Sequence, residues 1–237
     1  MTSNILKKIL RKIIPVKYRS NIIKSIVEHS VKSYSQEGED MLLKRLFEIH
    51  DYKGLYVDIG AHHPLRFSNT YYFYKRGWSG INVDAMPGSM KTFNSKRSRD
   101  INLELPVSRV KEILTYFAFE EPALNTFSED NANSIVNYNQ SQLLFKKDIE
   151  TVTLEEILDK HLNDRKIDFL TIDVEGFDFQ VLQSNNWKKY TPSVIVIEAY
   201  ATYINDILES DIYKYLVALG YDLIAKTPNT AIYKYKN

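Results

Sequence analysis

The 237-residue chain contains no cysteine, no long apolar run and almost no net charge. The absence of cysteine excludes disulfides, thiolate metal sites and a cysteine nucleophile. No stretch reaches the roughly 18 apolar residues that a membrane-spanning helix needs, and no cleavable signal pattern is visible. A net charge of +1 gives no argument for a nucleic-acid partner. We therefore expect a soluble, cytoplasmic protein with one α/β domain, a small extension and no bound nucleic acid.

Glycine is also scarce, and only one glycine of a dinucleotide fingerprint G-x-G-x-x-G is present after the first predicted strand. This strand ends at Asp58, followed by Gly60 and Ala61. In open α/β sheets, ligands bind outside the carboxyl ends of the strands. An acid before a single glycine suits a cofactor with a cationic amino-acid head, because the carboxylate accepts from an ammonium and glycine lets the backbone approach. S-Adenosylmethionine is the commonest such molecule, although a plain strand–turn–helix would look the same.

Two further predicted strands support a nucleoside-type cofactor. Residues 80–84 end in Asp84, and both hydroxyls of a ribose can bind one carboxylate at the end of a neighbouring strand. Residues 101–107 end at Ser108, which could line an adenine pocket. Between the first two strands, Ser68-Asn69-Thr70 opens a helix whose amino terminus suits a carboxylate.

Three acids follow two more apolar strands. Residues 167–172 lead to Asp173 and Glu175, and residues 193–197 lead to Glu198. If these strands are parallel neighbours, the three carboxylates meet at one edge of the sheet. Clustered carboxylates raise one another's pKa and can supply a general base, or they can hold Mg²⁺. Taken singly, each acid could instead cap a helix.

For several other segments the sequence predicts local structure but no specific chemical role. Residues 1–32 form a basic amphipathic helix that could lie on an anionic membrane surface, on the domain or on a second subunit in a homo-oligomer. Ser35 or Gln36 could cap the helix that follows. Residues 120–148 are rich in Asn, Ser and Gln, and we expect an irregular lid or substrate loop. Thr153 to Glu156 matches a capping box.

The carboxyl-terminal part distinguishes between two kinds of α/β sheet. We expect a helix over residues 204–219, a strand over 221–226 and another over 230–235. Only three residues join the two strands, and so short a connection forces an antiparallel hairpin. A mostly parallel sheet that ends in an antiparallel strand is typical of methyltransferases.

Five motifs together resemble one family, the FkbM-type S-adenosylmethionine-dependent methyltransferases. In chain order they are Ser35-Gln-Glu-Gly-Glu-Asp40, Val57-Asp-Ile-Gly-Ala61, Ser68-Asn-Thr70, Gly77-Trp-Ser-Gly80 with Asp84, and Ile172-Asp-Val-Glu-Gly176. The likeness covers residues 33–198. Many members carry Glu where this chain has Asp84, and the shorter acid should still reach a ribose.

The resemblance implies an α/β, Rossmann-like class I methyltransferase fold over residues 33–237. This fold has a seven-stranded, mostly parallel sheet with an antiparallel last strand and helices on both faces. It implies O-methylation of a sugar, nucleotide sugar or glycan in capsule, lipopolysaccharide or other glycoconjugate biosynthesis, which would suit contact of residues 1–30 with the inner face of a membrane.

The candidate site residues fall into four groups. We assign catalysis, in order of preference as general base, to Asp173, Glu198 and His63. We assign the substrate to His63, Glu175 and Tyr200, and a Mg²⁺ ion, if one is used, to Asp173, Glu175 and Glu198. We assign the cofactor to Gln36, Asp58, Gly60, Ala61, His62, Asn69, Asp84, Ala85, Ser108 and Asp173.

Two other functions fit parts of the sequence. Asp173 and Glu175 could be a metal-binding pair of a nucleotide-sugar glycosyltransferase, although such an enzyme has no evident need for Asp58, Gly60 and Asp84 together. A membrane-associated adaptor that has lost its chemistry is the other alternative, against which the intact acidic edge argues.

Overall fold

The computed structural model describes residues 30–48, 51–201 and 203–236. The chain divides into two compact units, Met1–Ser33 and Tyr34–Asn237. The amphipathic helix predicted at the amino terminus lies outside the described residues. Within the described part of the chain, no helix is long and apolar enough to cross a membrane.

The second unit alternates strands and helices, which we number along the described residues. The strands are β1 (Leu55–Ile59), β2 (Ser79–Asp84), β3 (Ile101–Glu104), β4 (Ile113–Phe119), β5 (Leu143–Glu150), β6 (Phe169–Ile172), β7 (Val194–Glu198), β8 (Tyr221–Lys226) and β9 (Thr230–Tyr235). The helices are α1 (Glu39–Leu46), α2 (Tyr71–Lys75), α3 (Met90–Lys96), α4 (Glu129–Asn137), α5 (Leu154–His161), α6 (Asp178–Gln183), α7 (Ile204–Glu209) and α8 (Asp211–Ala218), with a 3₁₀ turn at Pro122–Leu124.

Seven strands form the main sheet in the order β3-β2-β1-β6-β7-β9-β8. Strands β1, β2, β3, β6 and β7 run parallel to one another, and β9 runs antiparallel to both β7 and β8. The sheet therefore confirms the predicted class I methyltransferase arrangement, with the last strand of the chain as the antiparallel one. The order reverses between β1 and β6, where a ligand crevice is expected in an open α/β sheet.

Helices cover both faces of this sheet, as predicted. Val57, Leu170 and Ile195 point to one face and pack with apolar side chains of α5, α6 and α8. Their sequence neighbours Tyr56, Phe169, Val194 and Val196 point to the other face, because side chains alternate along a strand, and pack with α1 and α2. Every residue of β1, β6 and β7 is buried, which explains their continuous apolar runs.

The segment predicted to be an irregular loop, residues 120–148, is largely regular. It contains the 3₁₀ turn and α4, and β5 begins within it and pairs antiparallel with β4 to form a separate two-stranded sheet. Ser128 caps α4 by accepting a hydrogen bond from the backbone N–H of Asn131 at 3.2 Å. The prediction failed because β5 is exposed along most of its length and so has no apolar alternation. We refer to residues 113–150 as the insertion.

Three smaller predictions also need correction. The helix expected over 204–219 is broken into α7 and α8 at Ser210, whose hydroxyl caps α8. Strand β3 ends at Glu104 instead of residue 107, because Pro106 has no N–H to continue a ladder. Helix α1 begins after Gly38, which is left-handed and takes the N-cap position in place of Ser35 or Gln36. The Ser35 hydroxyl still caps the first turn in part, because it accepts from the backbone N–H of Asp40 at 3.2 Å. The capping box at Thr153 and Glu156 is confirmed.

The turn after β1 depends on the absence of a side chain at Gly60. This residue has φ +84°, and a Cβ there would overlap the carbonyl group of Asp173. Gly88 has nearly the same conformation, φ +83°, but a Cβ there would meet no atom within 4 Å. The two glycines therefore separate the cost of the backbone conformation from the cost of close packing.

We predict that Gly60→Ala destabilises the protein much more than Gly88→Ala. A left-handed alanine costs about 1–2 kcal/mol at either position, whereas only alanine at residue 60 must also displace the backbone of Asp173. Urea unfolding curves of the two variants and the wild type measure the difference. Equal losses of unfolding free energy would show that the close approach of the two turns contributes nothing.

Candidate functional site

The candidate site lies at the carboxyl ends of β1, β2, β6 and β7. Two adjoining cavities are found there, and both are lined by Gln36, Phe67, Asp173 and Glu175. The first cavity has a volume of about 100 Å³ and the second of about 50 Å³. The main sheet and its turns form one wall of the first cavity, and the insertion forms the opposite wall.

The sheet side of the first cavity carries several of the predicted cofactor residues. Gly60 and His62 from the turn after β1 line it, together with Asp84 and Ala85 at the end of β2. The carboxylate of Asp84 accepts hydrogen bonds from the backbone N–H groups of His62 and Met86, both at 2.8 Å. Burial raises the pKa of Asp84 above its ordinary value. Asp84 thus holds the two turns together, and its remaining lone pairs can accept hydrogen bonds from a ligand.

His62 presents an unsatisfied polar atom at this cavity. Its Nε2 is buried and has no hydrogen-bond partner among the residues that the structure describes. The residue has φ +49°, a left-handed conformation that is uncommon for a residue other than glycine. Burial, reinforced by the charge of Arg66, lowers the pKa of His62, so the neutral imidazole is favoured. A buried polar atom without a partner is costly in the free protein and is a ready contact for a ligand.

The second cavity is strongly acidic. Glu37, Glu39 and Glu198 line it in addition to Asp173 and Glu175. One carboxylate oxygen from each of Asp173, Glu175 and Glu198 lies within 4.8 Å of the others. The structure therefore brings these three predicted acids together. We call them the acidic trio.

Burial and mutual repulsion raise the pKa of every member of the acidic trio. Asp173 opens to both cavities, but the dense surroundings of its carboxylate and the charges of Asp178 and Glu175 raise its pKa well above the ordinary value. For the same two reasons, with burial the larger, the pKa of Glu175 rises to about 7 and that of Glu198 to about 10. Near neutral pH the trio therefore holds at least one proton.

Asp178 organises the turn that carries two of these acids. It is buried at the start of α6, and its carboxylate accepts from the backbone N–H groups of Val174 and Gly176 at 3.2 and 3.1 Å. Burial raises the pKa of Asp178 to about 6, although these hydrogen bonds oppose the rise. Asp178 therefore fixes the turn and adds negative charge beside it.

The insertion is fastened to the same turn at Glu175. This residue has φ +52°, and its carbonyl oxygen accepts from the Thr126 hydroxyl at 2.7 Å and from Asn131 Nδ2 at 2.8 Å. A Cβ on Gly176 would clash with the Asn131 side chain. On the other side, the Tyr200 hydroxyl donates to the Glu175 carboxylate at 3.3 Å. The acidic trio is thus connected to the insertion and to the segment after β7.

Asp58 belongs to a buried hydrogen-bond network with Thr70 and Arg97. Its carboxylate accepts from the Thr70 hydroxyl at 2.9 Å, and Thr70 in turn accepts from Arg97 at 2.9 Å. The guanidinium of Arg97 is fully buried and also donates to Asp100 and to the Pro64 carbonyl. Burial raises the pKa of Asp58 to about 6, and the Arg97 charge opposes the rise. Asp58 and Arg97 therefore anchor both ends of the loop after β1.

Four predicted site residues do not line either cavity. Asp58 faces Thr70, so the direct contact predicted with a cofactor ammonium has no support in this arrangement. Ala61 packs against Met90 and Phe93. The hydroxyl of Ser108 donates to Glu112 at 2.8 Å. His63 Nδ1 accepts from the backbone N–H groups of Leu65 and Arg66, so His63 shapes the loop instead of facing the acids.

The remaining predicted residues do line a cavity. Asn69 and Tyr200 are found in the second cavity. Asn69 Nδ2 donates to the Thr171 hydroxyl at 3.0 Å.

Sequence reasoning missed several lining residues. On the insertion these are Tyr116, Pro122, Ala123, Asn125 and Phe127. Nothing in their local pattern signals the site, since they reach it through the fold of the insertion. Glu37 and Glu39 also line the second cavity, and their closeness in sequence to the predicted Gln36 is a signal that could have identified them. Glu37 accepts from Asn229, and Glu39 from Thr227 and Thr230.

Comparison with known proteins identifies the family. A family profile described as "Methyltransferase FkbM domain" matches residues 58–223, which confirms the resemblance seen in the motifs. No protein of curated function matches the chain.

Two solved structures resemble the chain at low identity. One is a TehB-like SAM-dependent methyltransferase from Corynebacterium glutamicum, with 11% identity, 93% of this chain and 97% of that chain covered, and a TM-score of 0.41. The other is an O-methyltransferase from Bacillus cereus in complex with SAH, with 12% identity, 97% and 96% covered, and a TM-score of 0.40.

We predict that Glu175→Gln reduces the pH dependence of stability between about pH 4.5 and 7. Over this range the folded protein keeps a proton on Glu175 that the unfolded chain has released, so the free energy of unfolding falls as pH rises. Each such proton contributes a slope of up to about 1.4 kcal/mol per pH unit. Glutamine removes this contribution, and the variant's stability should fall less steeply.

Urea unfolding at several pH values checks this expectation. Glu120→Gln, which neutralises an exposed glutamate of the insertion, is the matched control and should follow the wild type. Parallel curves for all three proteins would contradict the assigned protonation of Glu175.

Proposed function

The chain belongs to the FkbM methyltransferase family, and on that premise we propose that it transfers a methyl group from S-adenosylmethionine to a hydroxyl oxygen of a sugar or glycan. The observation that carries this proposal is that Asp173 and Glu175 line both cavities. The first cavity is bounded by the turns that carry the cofactor motifs, and the second by the acids. A donor in the first cavity and an acceptor hydroxyl in the second would therefore meet at Asp173.

The residues of the first cavity fit such a cofactor. Asp84 has free lone pairs for the hydroxyls of a ribose, and His62 Nε2 is a buried atom without a partner. The aromatic rings of Tyr116 and Phe127, across the cavity, can cover a flat base. Because about 100 Å³ is below the roughly 300–1,000 Å³ of a typical ligand pocket, the insertion would act as a lid that moves to admit the cofactor.

Asp173 is the preferred general base. S-Adenosylmethionine, when bound, supplies an activated methyl group on a sulfonium, so positioning of the acceptor contributes much of the rate. Asp173 is accessible from both cavities, whereas Glu198 is buried beside it. Asp173 would take the proton of the acceptor hydroxyl. Glu198, whose pKa is about 10, would keep its own proton and stabilise the Asp173–Glu198 pair by sharing this proton with Asp173. Glu175 and Tyr200 would orient the acceptor.

The acidic trio could also hold Mg²⁺, which would acidify the hydroxyl directly. Oxygen ligands about 2.1 Å from Mg²⁺ lie at most about 4.2 Å from one another. The three oxygens of the trio lie within 4.8 Å, so small side-chain movements would suffice. Carboxylates are ligands that Mg²⁺ prefers, and the trio fits the ion chemically.

We predict that the protein binds S-adenosylhomocysteine and that Asp84→Asn weakens this binding by about tenfold or more. Hydrogen bonds to a charged group contribute about 1.5–3 kcal/mol, and asparagine lacks the second acceptor oxygen. Isothermal titration calorimetry measures both dissociation constants. Asp130→Asn, on the exposed side of α4, should bind like the wild type. Failure of the folded wild type to bind S-adenosylhomocysteine would overturn the proposal.

We predict that Asp173→Asn lowers methyl transfer by about 10²–10⁴-fold, the usual contribution of a general base. Affinity for S-adenosylhomocysteine should change little, because the cofactor is held mainly by the turns after β1 and β2. Transfer of labelled methyl groups to a panel of sugars, with and without EDTA, measures the effect and the need for a metal. Full activity in Asp173→Asn would contradict the role of Asp173 as the base. Activity that resists EDTA would contradict a role for Mg²⁺.

A further inference from the structure

A surface groove continues outward from the second cavity. It has a volume of about 710 Å³ and is lined by Tyr200, Ala201 and Ile204 on one side and by residues 226–229 on the other. Tyr200 and Asn229 line the groove and the second cavity alike. A molecule lying in the groove would therefore have one end at the acidic trio.

Tyr200 is the main aromatic surface of this groove. Its side chain is 66% exposed, although its hydroxyl is bound to Glu175. Ile204, on the same wall, is 62% exposed. The hydroxyl thus holds the tyrosine ring at the mouth of the second cavity, while the exposed ring can contact a ligand. Large apolar side chains exposed together beside a polar site are typical of a binding surface.

The charges around the groove exclude one class of ligand. The Lys226 ammonium donates to the carbonyl groups of Ala199, Thr227 and Pro228 at 3.4, 2.8 and 2.9 Å, which uses all three of its N–H groups. Five carboxylates line the second cavity, and none of the described residues that line it is basic. A phosphate there would meet repulsion and find no free cationic donor.

We propose that this groove is the acceptor site and that it selects an uncharged saccharide over a nucleotide sugar or sugar phosphate. This inference rests on the proposed function and narrows its substrate class. The apolar face of a sugar ring would pack on Tyr200, and its hydroxyl groups would accept from or donate to Asn229 and the acidic trio. Tyr200 is therefore the residue that determines acceptor specificity.

Saturation-transfer NMR with defined probes tests the proposal. The probes are the methyl glycosides of glucose, galactose, mannose and N-acetylglucosamine, set against glucose 1-phosphate and UDP-glucose, each with and without S-adenosylhomocysteine. We expect at least one neutral glycoside to bind, Tyr200→Ala to weaken that binding about tenfold, and Tyr200→Phe to retain most of it because the ring is kept. Tyr138→Ala, which removes a tyrosine 77% exposed on the insertion and outside both cavities and the groove, is the control and should bind like the wild type.

Each contrary result has a distinct meaning. Preferential binding of the phosphorylated sugars, absence of neutral glycoside binding to protein that binds S-adenosylhomocysteine, or unchanged binding by Tyr200→Ala would each overturn the assignment of the groove. Failure to bind S-adenosylhomocysteine would overturn the proposed methyl transfer instead. Binding of neutral glycosides in the groove would still be measured separately in that case.

Discussion

The close approach of Gly60 to Asp173 is the constraint on which the candidate site depends. The carbonyl group of Asp173 occupies the space that any side chain at residue 60 would need. The backbone N–H of Asp173 also donates to the carbonyl of Ile59 at 3.0 Å, which continues the pairing of β1 with β6 past the end of both strands. Residues more than 100 positions apart in the sequence thereby form one rigid corner. The cofactor turn and the acidic turn are positioned together, at the point where the strand order of the sheet reverses.

The acids around this corner have different electrostatic surroundings, and the difference bears on the roles that we propose for them. Asp58 is bound by Thr70 and lies near the buried Arg97 guanidinium, which compensates its charge. Asp173 and Glu198 differ in that the charges raising their pKa values are neighbouring carboxylates, and no cation among the described residues strongly opposes the rise. Buried carboxylates without a compensating cation reduce the stability of the folded protein. Such carboxylates are typical of sites that transfer a proton or bind a cation. These surroundings support the proposed roles, in which Asp58 anchors the loop through Thr70 and Asp173 exchanges the proton.

The sequence was sufficient for the main sheet because its signals are local. The buried strands β1, β6 and β7 appear as apolar runs, and three residues between β8 and β9 allow only a hairpin. It was insufficient where the signal is spread over the fold. Strand β5 is exposed and is stabilised by pairing with β4, and the contact of the insertion with Glu175 joins residues more than 40 positions apart.

The sequence also did not predict the direction in which some site side chains point. Strand-end position correctly grouped Asp173, Glu175 and Glu198, but the same reasoning assigned Asp58 to the cofactor, and Asp58 lines neither cavity. His63, assigned to the substrate from the loop after β1, also lines neither cavity. Asp58 lies within β1, where alternation turns it towards the same face as Tyr56. The loop turns His63 away from the cavities, because His63 accepts hydrogen bonds from backbone N–H groups of the loop.

The insertion connects cofactor access to the geometry of the acids. The first cavity must widen to hold a cofactor, and its sheet-side wall is fixed by the contact of Gly60 with Asp173 and by the hydrogen bonds of Asp84. The opposite wall belongs to the insertion, whose own core is small and consists of Phe117, Phe119, Ala132 and Ile135. In the lid movement that we propose, this wall is the one that moves. Because Thr126 and Asn131 bind the carbonyl of Glu175, its movement would shift a member of the acidic trio. On the proposed function, entry of the cofactor and arrangement of the acids would thus be linked through the contacts of the insertion with the turn at Glu175.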